Sequence, residues 1–142
     1  MNTNMSIYTL MFDGGSTGNP GPSGSGSVLY EDGVEIWSDS FYVGDRETNN
    51  TAEYTGLIRG LKESVNRNID KLIVKGDSLL VIKQMKGEYR VASPHLVILN
   101  STAINLANKI REIEWQHIPR SLNKRADELS RIREASSVNV IL

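Results

Sequence analysis

The chain has 142 residues, of which 39% are hydrophobic, and its formal net charge at pH 7 is −1. This length suits one domain around a single core, and this charge excludes long-range attraction of a polyanion by the protein as a whole. Because the sequence contains no cysteine, disulfide bonds and thiolate metal sites are excluded as well.

No segment approaches the roughly 20 consecutive apolar residues of a membrane span, and the first residues lack the basic and apolar blocks of a signal peptide. We therefore expect a cytoplasmic, monomeric protein without membrane contact, folded as a single domain over residues 1–142. Residues 136–142 form an uncharged tail that ends in Val140-Ile141-Leu142. This tail either docks on the body through its apolar side chains or frays as an ordinary terminus.

Three strand patterns open the chain, over residues 7–13, 24–31 and 34–43. The last two flank Asp32-Gly33, which predicts a tight β-hairpin. Residues 14–26 hold six of the twelve glycines. We interpret this stretch as a loop followed by a weakened strand start, where the backbone approaches another group closely.

Helices and strands alternate in the rest of the chain. Apolar periodicity predicts helices that begin at Pro94 and that span residues 50–66, 78–86 and 122–133. Short apolar runs predict strands over residues 72–76 and 112–118. Three strands followed by this alternation predict an α/β fold, a five-stranded mixed sheet with helices on both faces.

Four carboxylates stand where a strand ends or a helix begins: Asp13, Glu53, Asp77 and Asp127. Each has an ordinary local explanation, as a turn residue, a capping-box acid, a helix cap or an acid that favours a helix N-terminus. Gathered at one edge of the sheet, they instead form an oxygen-only cage that suits Mg²⁺. Two such cations roughly 4 Å apart activate a water molecule and stabilise the leaving oxygen of a phosphodiester. This hypothesis predicts a metal-dependent nuclease.

Other chemistries fit the sequence poorly. The glycine-rich residues 14–21 lack the Gly-Lys-Ser/Thr ending of a phosphate-binding loop, and the element predicted after them is a strand, not a helix. His95 and His117 lack zinc-ligand spacing. Basic residues gather late in the chain, where they are either solvated or in contact with a phosphate backbone. They are Arg120, Lys124, Arg125, Arg131 and Arg133.

Four local strings together resemble the motifs of type 1 ribonuclease H. Phe12-Asp13-Gly14-Gly15-Ser16, with Gly18-Asn19-Pro20-Gly21, resembles the first-strand motif, and Thr48-Asn49-Asn50-Thr51-Ala52-Glu53 resembles the first-helix motif. Lys75-Gly76-Asp77-Ser78 and residues 123–129 are similar to the third and fourth motifs. The resemblance covers residues 7–134 in the family's order. It is closest to the compact archaeal and bacterial branch and to retroelement-type ribonuclease H domains.

The resemblance implies a ribonuclease H-like fold and endonucleolytic cleavage of the RNA strand of RNA–DNA hybrids, which leaves 3′-hydroxyl and 5′-phosphate ends. It implies two Mg²⁺ ions per active site, with Mn²⁺ as a substitute, held by Asp13, Glu53, Asp77 and Asp127. It assigns contacts with RNA 2′-hydroxyls in the minor groove to Asn19, Asn49 and Asn50. It assigns contacts with a DNA-strand phosphate to Arg46 and Thr48.

The chain departs from the family pattern at three places. Leu79 stands where many relatives carry glutamine after Asp-Ser, and residues 86–94 contain no basic, tryptophan-rich handle. The segment from His117 to Asp127 is short and lacks the sequence that supplies the family's catalytic histidine. We therefore expect Arg120, more than His117, to assist turnover.

Two other functions are alternatives. One is a module that binds hybrids or double-stranded RNA with weak or no hybrid cleavage, although four intact carboxylates argue against it. The other is an ATP-binding member of the wider superfamily, which would need a duplicated domain that 142 residues do not provide. Cleavage of double-stranded RNA as a side activity also stays open, because the groove geometry is related.

Overall fold

The computed structural model describes residues 5–135. A short 3-10 turn, Arg120–Leu122, precedes the last helix. The strands and helices, in chain order, are β1 (Tyr8–Ser16), β2 (Gly21–Glu31), β3 (Val34–Glu47), α1 (Asn49–Asn66), β4 (Lys71–Gly76), α2 (Leu79–Met85), α3 (Pro94–Ala107), β5 (Glu112–His117) and α4 (Lys124–Ala135).

The five strands form one sheet in the order β3-β2-β1-β4-β5. Strand β2 pairs antiparallel with both β1 and β3, whereas β1, β4 and β5 run parallel to one another. Helix α1 packs on one face together with α2 and α3, and α4 packs on the other face. This arrangement confirms the predicted five-stranded mixed sheet with helices on both faces.

Strand β2 shows why both faces of the sheet are covered. Leu29 joins the main core with Leu57 of α1, whereas its neighbour Val28 packs in a smaller cluster with Leu129 of α4. Successive side chains on a strand point to opposite faces, so Leu29 packs against the helices on one face of the sheet and Val28 against α4 on the other. The apolar residues of α3, including the buried Ala103, also pack against the main core.

The predicted hairpin between β2 and β3 is confirmed. Asp32 and Gly33 have φ angles of 51° and 81°, and positive φ at both central residues is the requirement of a type I′ turn. The twist of this turn matches the twist of the flanking strands, and beyond it the pairing of β2 with β3 shifts register between Leu29 and Tyr30.

The prediction of a loop over residues 14–26 is wrong for most of that stretch. Strand β1 continues to Ser16 and β2 begins at Gly21, with Ser16 opposite Ser23. Residues 17–20 form the turn between them. The two strands thus extend to the edge of the sheet where the carboxylates lie.

The glycines of this stretch have a packing role that explains the error. A Cβ atom on Gly14 would lie 2.2 Å from the carbonyl carbon of Ala52 in α1. A Cβ atom on Gly26 would lie 2.2 Å from the carbonyl oxygen of Ala126 in α4. These glycines mark the places where the sheet touches a helix backbone, not places where a strand is broken.

The last helix begins at Lys124, two residues later than predicted, because residues 120–122 form the 3-10 turn. Asn123, with φ −119° and ψ 31°, separates the turn from the helix. The other helices and strands lie close to their predicted positions. Among residues 5–135, no helix has the length and apolar character that crossing a membrane requires. The predicted docking of residues 136–142 concerns a segment outside the described residues and stays a prediction.

Candidate active site

The parallel part of the sheet brings two of the predicted carboxylates to one edge. Phe12 of β1 is paired with Gly76, the last residue of β4. Asp13 and Asp77, the residues that follow them, therefore lie next to each other where the parallel pairing of β1 with β4 ends. This is the edge at which mixed α/β sheets present side chains to ligands.

Helix α1 places Glu53 beside Asp13 and Asp77. The close approach of α1 to Gly14 allows the backbone N–H of Gly14 to donate to Glu53 Oε1 at 2.6 Å. The same N–H lies 2.9 Å from Asp13 Oδ1 and donates to it as well. One backbone amide therefore holds two carboxylates side by side.

Asp13, Glu53 and Asp77 form a compact group, which we call the carboxylate cluster. Each offers a carboxylate oxygen, and these oxygens all lie within 4.8 Å of one another. Asp13 and Glu53 are each 5% exposed. Glu53 Oε2 is buried and finds no hydrogen-bond partner among residues 5–135. Crowded, buried carboxylates with an unpaired oxygen are unfavourable alone, so this donor set fits a hard divalent cation.

The pKa values of the carboxylate cluster reflect this crowding. Burial, with repulsion from Asp77, raises the pKa of Asp13 to about 6. Burial and the neighbouring Asp13 raise the pKa of Glu53 well above its ordinary value. Burial also raises the pKa of Asp77. Carboxyl groups in this condition release protons when a cation binds them, so metal affinity is expected to depend on pH.

Asp127 reaches the site from α4, close enough to Asp13 for the two carboxyl groups to influence each other's pKa. Its Oδ2 accepts a hydrogen bond of 2.9 Å from Arg131 Nε, and its Oδ1 lies 3.7 Å from Arg120 Nη2. Partial burial alone would raise the pKa of Asp127, but the hydrogen bonds with Arg131 and Asp13 and the positive charges of Arg131 and Arg120 together outweigh burial and hold the pKa below its usual range. Asp127 is therefore an ionised, paired carboxylate at the border of the cluster.

His117 and Arg120 lie on the Asp77 side of the site. His117 ends β5, and its Nε2 is 3.2 Å from the backbone carbonyl oxygen of Asp77. The side chain of Arg120 is 69% exposed and lines the same cleft as the carboxylates. The Arg120 side chain is therefore exposed in the cleft, whereas the His117 ring contacts the backbone of Asp77. The roles of both residues in turnover stay predictions.

The three asparagines predicted to contact RNA lie around the turn that follows β1. Asn19 Oδ1 accepts a hydrogen bond of 2.9 Å from the backbone N–H of Asn49. Asn49 Oδ1 accepts one of 2.8 Å from the backbone N–H of Ser16. Because these two oxygens are occupied within the protein, Asn19 and Asn49 have their amide NH₂ groups left as donors. Asn50 is half-buried and lines the cleft together with Asn49.

Arg46 and Thr48, predicted to hold a DNA phosphate, lie at the junction of β3 and α1 and are exposed. Thr48 is the N-cap of α1, and its hydroxyl oxygen accepts a hydrogen bond of 3.2 Å from the backbone N–H of Thr51. Thr48 therefore has a structural role as a cap. A role of the pair in phosphate binding stays a prediction.

A cleft of about 440 Å³ surrounds the carboxylate cluster, and α4 contributes more of its wall than the sequence indicated. Arg131, one of the late basic residues, is a site residue, and its spacing of four from Asp127 on α4 is the local signal for their contact. Glu134 also lines the cleft and accepts a hydrogen bond of 2.6 Å from Thr17 Oγ1. Asn123, which the sequence marks only as a helix start, donates to Asp77. The Thr17–Glu134 and Asn123–Asp77 contacts join distant parts of the chain, so no local sequence pattern predicts them.

Comparison with known sequences places this site in a family. The profile of a family described as reverse transcriptase-like matches residues 11–132. The bifunctional protein Rv2228c of Mycobacterium tuberculosis is 42% identical over 119 residues, which are 83% of this chain and 33% of that protein. Ribonuclease HI of Halobacterium salinarum is 37% identical over 119 residues, which are 84% of this chain and 60% of that protein. The chain thus spans about a third to three-fifths of the length of these curated relatives.

Solved structures agree with the sequence comparison. The N-terminal RNase H domain of Rv2228c, solved as a fusion with maltose-binding protein, has a TM-score of 0.90 at 36% identity, over 94% of this chain and 96% of that chain. RNase H1 of H. salinarum has a TM-score of 0.83 at 36% identity, over 88% and 95%. LC11-RNase H1, crystallised in complex with an RNA/DNA hybrid, has a TM-score of 0.84 at 33% identity, over 92% and 98%. The chain therefore belongs to the reverse transcriptase-like family, with the fold of ribonuclease H that its four motifs resemble.

Proposed function

We propose that the protein is a metal-dependent endoribonuclease that hydrolyses the RNA strand of RNA–DNA hybrids, leaving 3′-hydroxyl and 5′-phosphate ends. The observation that carries this proposal is the carboxylate cluster that lines the cleft, with the buried, unpaired Glu53 Oε2. The names of the relatives support the activity, and the hybrid bound to LC11-RNase H1 supports the substrate.

Asp13, Glu53, Asp77 and Asp127 are the residues that would hold Mg²⁺, or Mn²⁺ in its place. Two divalent cations bound there would activate the attacking water and stabilise the leaving oxygen of the scissile phosphodiester. Asp13 and Glu53 contribute a rigid donor pair, because one backbone N–H of Gly14 fixes both. Asp127 contributes a carboxylate that stays ionised through its bond with Arg131. Oxygen-only donors favour these hard cations over zinc or copper.

Selection of RNA is assigned to the asparagines beside the cluster. The amide groups of Asn19 and Asn49 are oriented by their own internal hydrogen bonds, so they meet a ligand as donors. The wide minor groove of a hybrid offers acceptors to such donors, and its 2′-hydroxyls occur on the RNA strand alone. Arg46 and Thr48 would hold a phosphate of the DNA strand through charge-assisted contacts, as the resemblance implies.

The proposed metal requirement is tested with variants of the two aspartates that flank β4. Asp77→Asn removes a charge from the cluster, whereas Asp70→Asn removes one at the opposite end of β4, where the residue is exposed. Hybrid cleavage is measured against Mg²⁺ concentration, and the product ends are identified by mass spectrometry. We expect Asp77→Asn to abolish cleavage and Asp70→Asn to retain it, with 5′-phosphate on the downstream product. Retained activity in Asp77→Asn, or 3′-phosphate ends, would contradict the proposal.

A further inference from the structure

Asn123 occupies a buried position behind the carboxylate cluster, between the 3-10 turn and α4. It is 1% exposed, so a bound nucleic acid does not reach its side chain. Buried amides are expected to have their hydrogen-bonding groups satisfied, and the contacts of Asn123 therefore indicate what the residue does.

The side-chain NH₂ group of Asn123 faces two acceptors. It donates to the backbone carbonyl oxygen of Phe12 at 2.9 Å and to Asp77 Oδ2 at 3.4 Å. Both are acceptors, so the amide must present its nitrogen to them; the opposite orientation would place Oδ1 against two oxygens. Asn123 Oδ1 has no hydrogen-bond partner in the described part of the chain, so the side-chain hydrogen bonds that the structure shows for Asn123 are those donated by Nδ2.

The backbone of Asn123 makes a third connection. Its carbonyl oxygen accepts from the N–H of Asp127 at 3.1 Å and so begins the hydrogen-bond pattern of α4. One residue therefore contacts the backbone of β1 just before Asp13, the carboxylate of Asp77, and the backbone of Asp127. These three elements come from distant parts of the sequence, and in the described structure Asn123 bonds to each of them.

We propose that Asn123 is a positioning residue for the cation site: its side-chain amide sets the separation of Asp13 and Asp77 that a divalent cation requires, and its backbone carbonyl ties this pair to Asp127. The inference rests on the proposed function, because it assigns the four carboxylates to Mg²⁺. Hydrogen bonds that orient ligating carboxylates affect metal affinity and activity by about 10- to 100-fold when they are removed. Since the side chain is buried, its loss changes metal binding and kcat and leaves the KM for nucleic acid nearly unchanged.

Asn123→Ala tests this role, with Gln84→Ala as a matched control. Gln84 is also buried and accepts a hydrogen bond of 2.7 Å from Tyr54 Oη, in the core between α1 and α2. For each variant, Tm is measured in EDTA and across a MgCl₂ titration, which gives the Mg²⁺ dissociation constant without substrate. We expect both variants to have a lower Tm in EDTA. Only Asn123→Ala is expected to weaken Mg²⁺ binding and lower kcat by about tenfold or more, with KM within about twofold.

An Asn123→Ala protein with wild-type Mg²⁺ affinity and kcat, but a reduced Tm, would show that the residue is merely structural and would overturn the proposal. If Asn123→Ala does not unfold cooperatively, Asn123→Ser is measured against the same criteria, because its smaller cavity preserves the fold while its short hydroxyl does not reach both acceptors. The Mg²⁺ titration needs no hybrid. Failure of the wild-type protein to cleave hybrids would therefore count against the proposed function, whereas an unchanged Mg²⁺ affinity in the variant would count against the role of Asn123.

Discussion

Burial and pairing act in opposite directions on the acidic side chains of this site. Asp13 and Glu53 are buried side by side, and burial raises their pKa values although the Gly14 N–H that donates to both acts to lower them. Asp127 is less buried and paired with Arg131, so its pKa is lowered. At the scale of single residues the site therefore combines three carboxylates whose pKa values are raised, Asp77 being the third, with one whose pKa is lowered. This combination is expected where cation binding displaces protons.

The sharpest residue-scale prediction concerns Asp13. Asp13→Asn keeps the shape of the side chain but removes a charge from the centre of the proposed metal site, so hybrid cleavage should fall on the order of 10³-fold or more. Folding should not suffer, because the substitution relieves repulsion among buried carboxylates. In EDTA the variant should have an equal or higher Tm than the wild-type protein, measured by thermal unfolding. A destabilised variant that still cleaves hybrids would show that Asp13 is only a turn residue.

A second prediction follows from the raised pKa of Asp13, from 3.8 to about 6. A raised carboxyl pKa stabilises the fold below the unfolded-state pKa, and this stability is lost as pH rises through the folded-state pKa. At ~1.4 kcal/mol per pKa unit, the shift corresponds to roughly 3 kcal/mol for the metal-free protein. The difference in Tm between Asp13→Asn and wild type, in EDTA, should thus be small near pH 4 and grow in favour of the variant up to about pH 7. A pH-independent difference would contradict this account.

A third prediction separates Arg120 from His117. The exposed guanidinium of Arg120 stands in the cleft near Asp127, where a cation stabilises developing charge or assists product release. Arg120→Ala should therefore lower kcat at saturating hybrid, by about tenfold, whereas His117→Ala should have a smaller effect. Steady-state kinetics of the two variants decide the matter. Intact kcat in Arg120→Ala together with a strong loss in His117→Ala would reverse the two roles.

At the scale of elements, the site depends on how closely α1 approaches β1. Gly14 permits the contact, because a Cβ atom there would lie 2.2 Å from the backbone of Ala52. The neighbouring Gly15 is different, because its Cβ atom would meet only the flexible carboxylate of Glu134, at 2.9 Å. The two glycines thus form a matched pair, one against a rigid helix backbone and one against a side chain that moves aside.

Gly14→Ala should therefore push α1 away from β1 and carry Glu53 with it. We expect a loss of about 1–3 kcal/mol in the free energy of unfolding, the usual range for overpacking, and a fall in hybrid cleavage beyond what the lower stability explains. Gly15→Ala should retain most of the stability. Denaturant unfolding and cleavage rates of the two variants provide the test, and equal effects of both substitutions would refute the packing argument.

The elements also show which features of the fold are readable from sequence. Asp32-Gly33 predicts its hairpin because the turn chemistry is local, and Leu57 and Leu61 predict the buried side of α1 because the period is local. Gly14 and Gly26 lie in the stretch predicted as a loop and a weakened strand start, and the close backbone approach predicted there is confirmed. Nothing in the local sequence reveals that the approaching group is a helix backbone. The four carboxylates were predicted from their places at element ends. The hydrogen bond from Asn123 to Asp77 is not predictable from the sequence in this way, because it joins residues 46 positions apart.

At the scale of the whole molecule, the charge distribution limits how a polyanion binds. The net charge is −1, so overall attraction to nucleic acid is weak. Affinity must then arise locally, from cations at the carboxylate cluster and from the basic and amide groups around the cleft, including Arg120, Arg131 and Asn49. Because the cluster itself is anionic, the same account requires that a nucleic acid substrate is cut only when divalent cations are present.

The most direct test of this account is cleavage of four end-labelled substrates of one sequence: an RNA–DNA hybrid, duplex RNA, duplex DNA and single-stranded RNA. Each is incubated with the wild-type protein in Mg²⁺ and in EDTA, and initial rates are compared. The account predicts rapid cutting of the RNA strand of the hybrid in Mg²⁺, none in EDTA, and no cutting of duplex DNA. Absence of EDTA-sensitive cleavage of the hybrid, or faster cutting of duplex RNA than of the hybrid, would contradict it.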